Sequence, residues 1–136
     1  MRGLLSDLVR AWRLSRATTF FSRGRYTDAV EHLEAILAGI DSGTAGLKRP
    51  TSEFRVYALV YLGRTYLELG RFDEAATLLA SAYEDISTVY RRTPSAAHLE
   101  FLAFLEAFAD SLERTGDVAR ASAVRSEIKA IRARQR

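Results

Sequence analysis

The chain has no cysteine and no asparagine, and its 136 residues include only two prolines and one tryptophan. Without cysteine there can be no disulfide framework and no chemistry that depends on a thiolate. No apolar run approaches the ~18 residues that a transmembrane helix requires. Asp7 and Arg10 interrupt the N-terminal apolar stretch that a signal peptide would need. From these absences we expect a cytoplasmic protein.

Charge is distributed unevenly along the chain, which carries a net charge of +3. Six arginines face one aspartate in residues 1–25, and seven basic residues face two acidic ones in 114–136. Between them, 14 acidic residues outnumber seven basic ones. Like charge at both ends opposes head-to-tail association. The excess of arginine over lysine, with abundant alanine, is typical of a GC-rich bacterial genome and is not by itself a sign of nucleic-acid binding.

Three glycines, Gly24, Gly70 and Gly116, lie 46 residues apart, and each stands in a similar short frame. An apolar residue follows two places after each glycine, and an alanine follows five places after it. One glycine near a helix end means little, but three in the same phase indicate a repeated helix–turn–helix unit. Units of this kind cannot bury their apolar faces alone and must stack on one another.

Apolar residues at three- and four-residue steps predict six helices and no strand. The first helix places Trp12, Ala17 and Phe20 on its predicted buried face, and residues 39–50, which contain three glycines and a proline, predict a loop. The predicted fold is all-α, a single domain of six antiparallel helices in three pairs, stacked as a short right-handed α-solenoid. The predicted helices span about 4–22, 27–38, 51–69, 73–90, 94–114 and 118–134, so that the repeats are about 4–38, 51–90 and 94–134.

The central repeat carries a specific pattern of small and apolar residues. It comprises Leu59, Leu62, Gly63, Tyr66, Gly70, Phe72, Ala75, Leu79 and Ala82. This pattern closely resembles the tetratricopeptide repeat (TPR). In that family the small residues at Gly63 and Ala75 let the two helices of a pair approach, and the one at Ala82 lets the second helix contact the next repeat.

The outer repeats resemble the family less closely. The first has Arg13 and Arg16 where apolar residues are usual, and the third has Val118 at the aromatic position and Arg125 at a bulky apolar one. Terminal repeats are expected to be atypical because one of their faces meets water. The period of 46 residues exceeds the usual ~34, which resembles the extended-helix variants of the family.

The resemblance implies that the first helix of each pair lines a concave surface that binds peptides or partner proteins. The four carboxylates of this surface favour a basic or amphipathic partner segment, although Arg64 and Glu68 could instead pair with each other along one helix. The family's carboxylate clamp, which uses asparagine and lysine, is not available in a chain without asparagine. The candidate groove residues are Thr18, Phe21, Tyr57, Val60, Tyr61, Arg64, Glu68, Glu106, Asp110 and Glu113.

The leading hypothesis is a non-catalytic interaction module with an adaptor, client-chaperone or immunity-type role. His32 and His98 lie in different repeats and belong to no cluster with ligand spacing, so neither a metal nor a cofactor is predicted. One alternative is a homodimer scaffold in which Leu14 and Phe21, which fall off the buried face of the first helix, meet their copies. Another is an electrostatic binder of RNA or of anionic membrane through the basic terminal helices.

Overall fold

The chain folds into six α-helices joined in pairs by short turns. The computed structural model describes residues 2–41, 53–92 and 94–134. The helices are α1 (Arg2–Ser22), α2 (Tyr26–Asp41), α3 (Glu53–Glu68), α4 (Phe72–Arg92), α5 (Pro94–Arg114) and α6 (Val118–Ala133). The prediction of an all-α repeat architecture is confirmed.

The turn inside each pair depends on its glycine. Gly24, Gly70 and Gly116 have φ values of 74°, 75° and 91°, in the left-handed region that glycine alone adopts without steric cost. In each turn the N–H of the residue after the glycine donates to the carbonyl five residues earlier, at 2.8 to 2.9 Å. This hydrogen bond closes the end of the first helix in the Schellman arrangement, and it explains why the three glycines share one phase.

Helix α2 is longer than the sequence predicts. It runs through Gly39 to Asp41, whereas the predicted loop began at Gly39. A glycine within a helix costs about 1 kcal/mol relative to alanine. The buried side chains of Ile36 and Leu37, in the turn just before it, hold this part of the helix on the core. The rest of the predicted loop lies outside the described residues.

Each helix packs on the next one along the chain, and α3 also packs on both α1 and α5. The first helices of the pairs therefore form one continuous layer. Gly63 in α3 permits the close approach that the sequence indicated, because a Cβ atom there would lie 2.7 Å from Cδ2 of Leu79 in α4. The aromatic residues Phe104 and Phe108 of α5 are fully buried and contact the ring of Tyr83 in α4.

The outward face of α1 departs from the prediction. Trp12 was expected to be buried, but 57% of its surface is exposed. Its equivalent one period later, Ala58, is fully buried on a face of α3 that packs on α2. No helix of the described part of the chain covers α1 in the same way, so the aromatic ring remains at the surface.

Candidate partner-binding groove

A groove of about 580 Å³ lies between α3, α5 and α6. Its α5 side is a single helical stripe in which Ala103 and Ala107 alternate with Glu106 and Asp110. The two alanines leave room for a ligand between the charged side chains. The lining residues are Arg64, Leu67 and Glu68 of α3, Ala103, Glu106, Ala107 and Asp110 of α5, and Arg125, Ile128, Lys129 and Arg132 of α6.

Four of the predicted residues, Arg64, Glu68, Glu106 and Asp110, are brought together in this groove. Three others, Thr18, Phe21 and Tyr61, lie on α1 and α3 outside it, and Tyr57 is exposed on the first half of α3. Glu113 lies one turn beyond Asp110 on α5. The predicted set therefore divides into a charged groove at the α6 end and a separate group of residues towards α1.

Val60 is a correction to the predicted site. Only 3% of its surface is exposed, and it belongs to the hydrophobic core together with its neighbours Ala58 and Leu59. The turn of α3 that carries it is enclosed by the packing of α3 on its neighbouring helices. Val60 therefore presents almost no surface to a partner.

Arg64 lies over two aromatic rings. Its guanidinium carbon is 4.9 Å from the ring centre of Phe21 and 5.5 Å from that of Tyr61. The two rings meet edge to face at 5.6 Å, and Phe21 also meets Tyr26 at 5.5 Å. Cation–π contacts of this kind orient an arginine without neutralising it. Arg64 forms no ion pair with Glu68 in the structure, so the pairing that the sequence allowed is not observed.

The two apolar residues expected to meet a second copy are partly buried within the chain itself. Phe21 packs against Tyr61 and Tyr26, and Leu14 packs against the hydrophobic core. Neither belongs to the large side chains that the structure exposes. Both side chains therefore already make contacts within the chain.

Helix α6 supplies a basic wall to the groove; the sequence indicated that this helix is basic but not that it lines the groove. The Nε atom of Arg125 donates to Glu113 at 2.5 Å, and Arg132 forms an ion pair with Glu106. The hydrogen bond from Arg125 holds the pKa of the Glu113 carboxyl below its usual value. Two of the four carboxylates that made the groove appear acidic are thus paired, and the groove carries charges of both signs.

The basic side chains of this wall can be predicted by comparing residues of α4 and α6 that lie 46 positions apart. In α4 the apolar residues Leu79, Tyr83 and Ile86 lie on the face that meets the neighbouring helices. One period later the equivalent positions of α6 are Arg125, Lys129 and Arg132. Replacement of all three by cations indicates that this face of α6 meets water and charge, whereas the same face of α4 meets a helix.

Two charged side chains of the groove are available to a ligand. Glu68 of α3 and Lys129 of α6 are exposed, and neither forms an ion pair within the described ranges 2–41, 53–92 and 94–134. Asp110 has only a long contact, 3.6 Å, with Arg114 one turn away. Exposed ion pairs contribute at most about 1 kcal/mol, so the paired carboxylates can also exchange partners with a bound segment.

The side chain of His32 makes its contacts within the first repeat. The Nδ1 atom of His32 lies 3.0 Å from the carbonyl oxygen of Asp28, and the imidazole ring meets Phe20 edge-on at 5.1 Å. Among the described residues, no group of three or more histidines and carboxylates is placed to hold a metal ion. No described helix is both long enough and apolar enough to cross a membrane.

A family model of the tetratricopeptide repeat matches residues 56–81. Two solved structures are similar to nearly the whole chain, both of nearly identical TPR-like repeats from a Podosopora anserina protein described as a kinesin light chain, one being a single-substitution variant. They have TM-scores of 0.63 and 0.64 and 23% identity, over 93% of this chain. This chain spans 56% of the length of each. No curated protein matches the sequence.

These matches agree with the architecture derived from the residues. The family model covers the central repeat, where the resemblance was strongest, and the solved structures extend the similarity to the helices on both sides. At this level of identity the likeness concerns the fold. The fold is a TPR-like α-solenoid, and the resemblance inferred from the sequence is confirmed.

Proposed function

We propose that this TPR-like chain is a non-catalytic interaction module that binds a peptide or a partner protein in the groove between α3, α5 and α6. TPR-like repeats in general mediate interactions between proteins. The observation that carries the proposal is the pair of exposed charges, Glu68 and Lys129, on the α3 and α6 walls of the groove, neither of which is paired with another residue that the structure describes. Charged groups with no internal partner can pair with a ligand without first losing an existing contact.

The groove chemistry supports an amphipathic partner segment with a basic residue. Glu68 and the weakly engaged Asp110 offer carboxylates to such a residue, and Lys129 offers a cation to an acidic one. The apolar side chains of Leu67 and Ile128, with the two alanines of α5, provide contact area between them. The identity of the partner then decides between an adaptor, a client chaperone and an immunity-type role.

Affinity capture with matched charge reversals tests this proposal. The bait proteins are the wild type, Glu68→Lys and Lys129→Glu in the groove, and Glu84→Lys on the exposed surface of α4, outside the groove. A partner identified by mass spectrometry is then titrated against each purified bait. We expect each groove variant to bind at least about tenfold more weakly, because a reversed charge repels the group that its wild-type counterpart pairs with.

The Glu84→Lys control separates an effect at the groove from a general effect of charge. Glu84→Lys makes the same charge change as Glu68→Lys and should bind the partner as the wild type does. Circular dichroism of each bait establishes that its helices are intact. Undiminished binding by both groove variants would place the interaction on another surface and refute the proposed site.

A further inference from the structure

A second surface, distinct from the groove, runs along α1 from Trp12, which is exposed, to Phe20, which is partly buried and meets His32 of α2. The guanidinium of Arg16 is 4.9 Å from the ring centre of Trp12 and 5.6 Å from that of Phe20, and the guanidinium of Arg25 is 4.8 Å from the ring centre of Phe20. These four residues form a row of alternating rings and cations, named here the α1 ladder. Cation–π contact with the rings holds both guanidinium groups beside the aromatic surface.

The equivalent positions of α3 and α5 show which kind of element packs on this face of a first helix. One period later, the equivalents of Trp12, Arg16 and Phe20 are Ala58, Leu62 and Tyr66, all buried in α3, which packs on α2. The hydroxyl of Tyr66 donates to Glu34 of α2 at 2.7 Å. The same face of α5 is packed on α4. The ladder thus occupies the position at which this fold receives the second helix of a preceding pair.

The charge of the ladder identifies the kind of helix that fits it. Arg13, Arg16 and Arg23 are exposed, and no carboxylate among the described residues pairs with them; only Arg25 is paired, with Asp28 at 2.7 Å. The helix that occupies the equivalent position on α3 is itself acidic, because α2 carries four carboxylates and no arginine or lysine. An acidic helix therefore also suits Arg13 and Arg16, which stand where α3 has Leu59 and Leu62.

We propose that the α1 ladder binds an acidic amphipathic helix of a partner protein, docked on α1 as α2 docks on α3. A second copy of this chain does not supply that helix. Its α2 and α4 already bury their apolar faces against their own neighbours. The outward faces of its α1 and α6 carry arginine and lysine, which would meet the arginines of the ladder with like charge.

A synthetic peptide with the sequence of residues 26–41, the acidic α2 helix, serves as the probe. Labelled with a fluorophore, it is titrated with the full chain and followed by anisotropy. We expect saturable binding that weakens with added salt, and a blue shift in the emission of Trp12, the sole tryptophan. Arg16→Glu should weaken binding at least about tenfold, since it places a like charge against the peptide. Arg91→Glu, the same charge change on exposed α4, should leave it within about twofold.

Several results would overturn the proposal. Absence of saturable binding would do so. An equal loss of affinity in Arg16→Glu and Arg91→Glu would also do so, because it would show that binding depends only on the net charge of the protein. Binding that survives Arg16→Glu would show that the peptide docks elsewhere or replaces the protein's own α2. Tighter, Arg16-dependent binding of a single-stranded RNA oligonucleotide or of phosphatidylserine vesicles would assign the face to those ligands. Should Arg16→Glu unfold, Trp12→Ala followed through the labelled peptide takes its place.

Discussion

Gly63 illustrates how a single residue sets the spacing of a helix pair. A Cβ atom at this position would lie 2.7 Å from Cδ2 and 3.0 Å from Cγ of Leu79, which is fully buried. The absence of a side chain therefore lets α3 and α4 pack closely. Glycine at this position also lowers the intrinsic stability of α3, because its helix propensity is low.

Replacing Gly63 by alanine should destabilise the protein despite the better helix propensity of alanine. Overpacking a core costs about 1 to 3 kcal/mol, whereas the propensity gain is about 1 kcal/mol. We expect a net loss of about 1 kcal/mol in the free energy of unfolding, measured with urea. Gly39→Ala is the matched control, because nothing lies within 4 Å of a Cβ there. It should stabilise α2, and equal gains from both changes would contradict this account.

Two tyrosines connect the repeats and make stability sensitive to alkaline pH. Burial, together with a hydrogen bond to Glu127, raises the pKa of Tyr83 to about 12. Burial and the hydrogen bond to Glu34 likewise raise the pKa of Tyr66 above its usual value. In the unfolded chain a tyrosine loses its proton near pH 10, so the contribution of Tyr83 is complete below about pH 10 and is lost as the pH rises towards about 12.

The corresponding measurement compares urea unfolding at about pH 9 and about pH 11. The wild type should lose stability between these values, and Tyr83→Phe should lose less because it has no proton to release. Tyr66→Phe should behave in the same way. A wild type and a Tyr83→Phe variant with the same pH dependence would show that this hydroxyl is equally acidic in the folded and unfolded states.

Among the helices, α6 differs most from its counterparts. Its buried stripe of Ala121, Val124, Ile128 and Ile131 packs on α5, while its next face carries Arg125, Lys129 and Arg132. The three cations occupy the positions at which α4 has Leu79, Tyr83 and Ile86. Helix α6 thus combines the packing of a second repeat helix with the charge of a groove wall.

Placing the α4 residues at the equivalent positions of α6 should therefore create a surface through which the protein associates with itself. The triple variant Arg125→Leu, Lys129→Tyr and Arg132→Ile exposes a contiguous apolar patch of the kind that drives association. We expect its mass by light scattering to rise with concentration. The control Ala119→Leu, Ala123→Tyr and Ser126→Ile places the same residues at the same spacing on another exposed stripe of α6. Equal behaviour of the two triples would show that apolar area alone, not its position, causes association.

The elements were more predictable from the sequence than the surfaces. The glycine phase and the apolar spacing predicted six helices, and α5 begins and ends where they indicated. These features follow from local propensity and turn chemistry. Val60, Trp12 and the α6 wall depend instead on which helix covers which face. That is a property of packing between helices, and in two cases it became visible only by comparing positions one period apart.

At the scale of the whole molecule, two surfaces with different chemistry are separated by an uninterrupted core. The groove at the α6 end has charges of both signs, whereas the α1 ladder has arginines beside exposed aromatic surface. Each surface lies where the repeat pattern departs from its central copy. The same departures that make terminal repeats atypical therefore also supply the groups proposed to recognise partners.

The central claim, that a partner occupies the groove between α3, α5 and α6, is tested most directly by nuclear magnetic resonance. A chain of 136 residues is small enough for its backbone amide signals to be followed one by one during titration with the captured partner. We expect the largest shifts at residues 64–68, 103–110 and 125–132. Shifts that spare these segments and map to the exposed residues of α4 would contradict it.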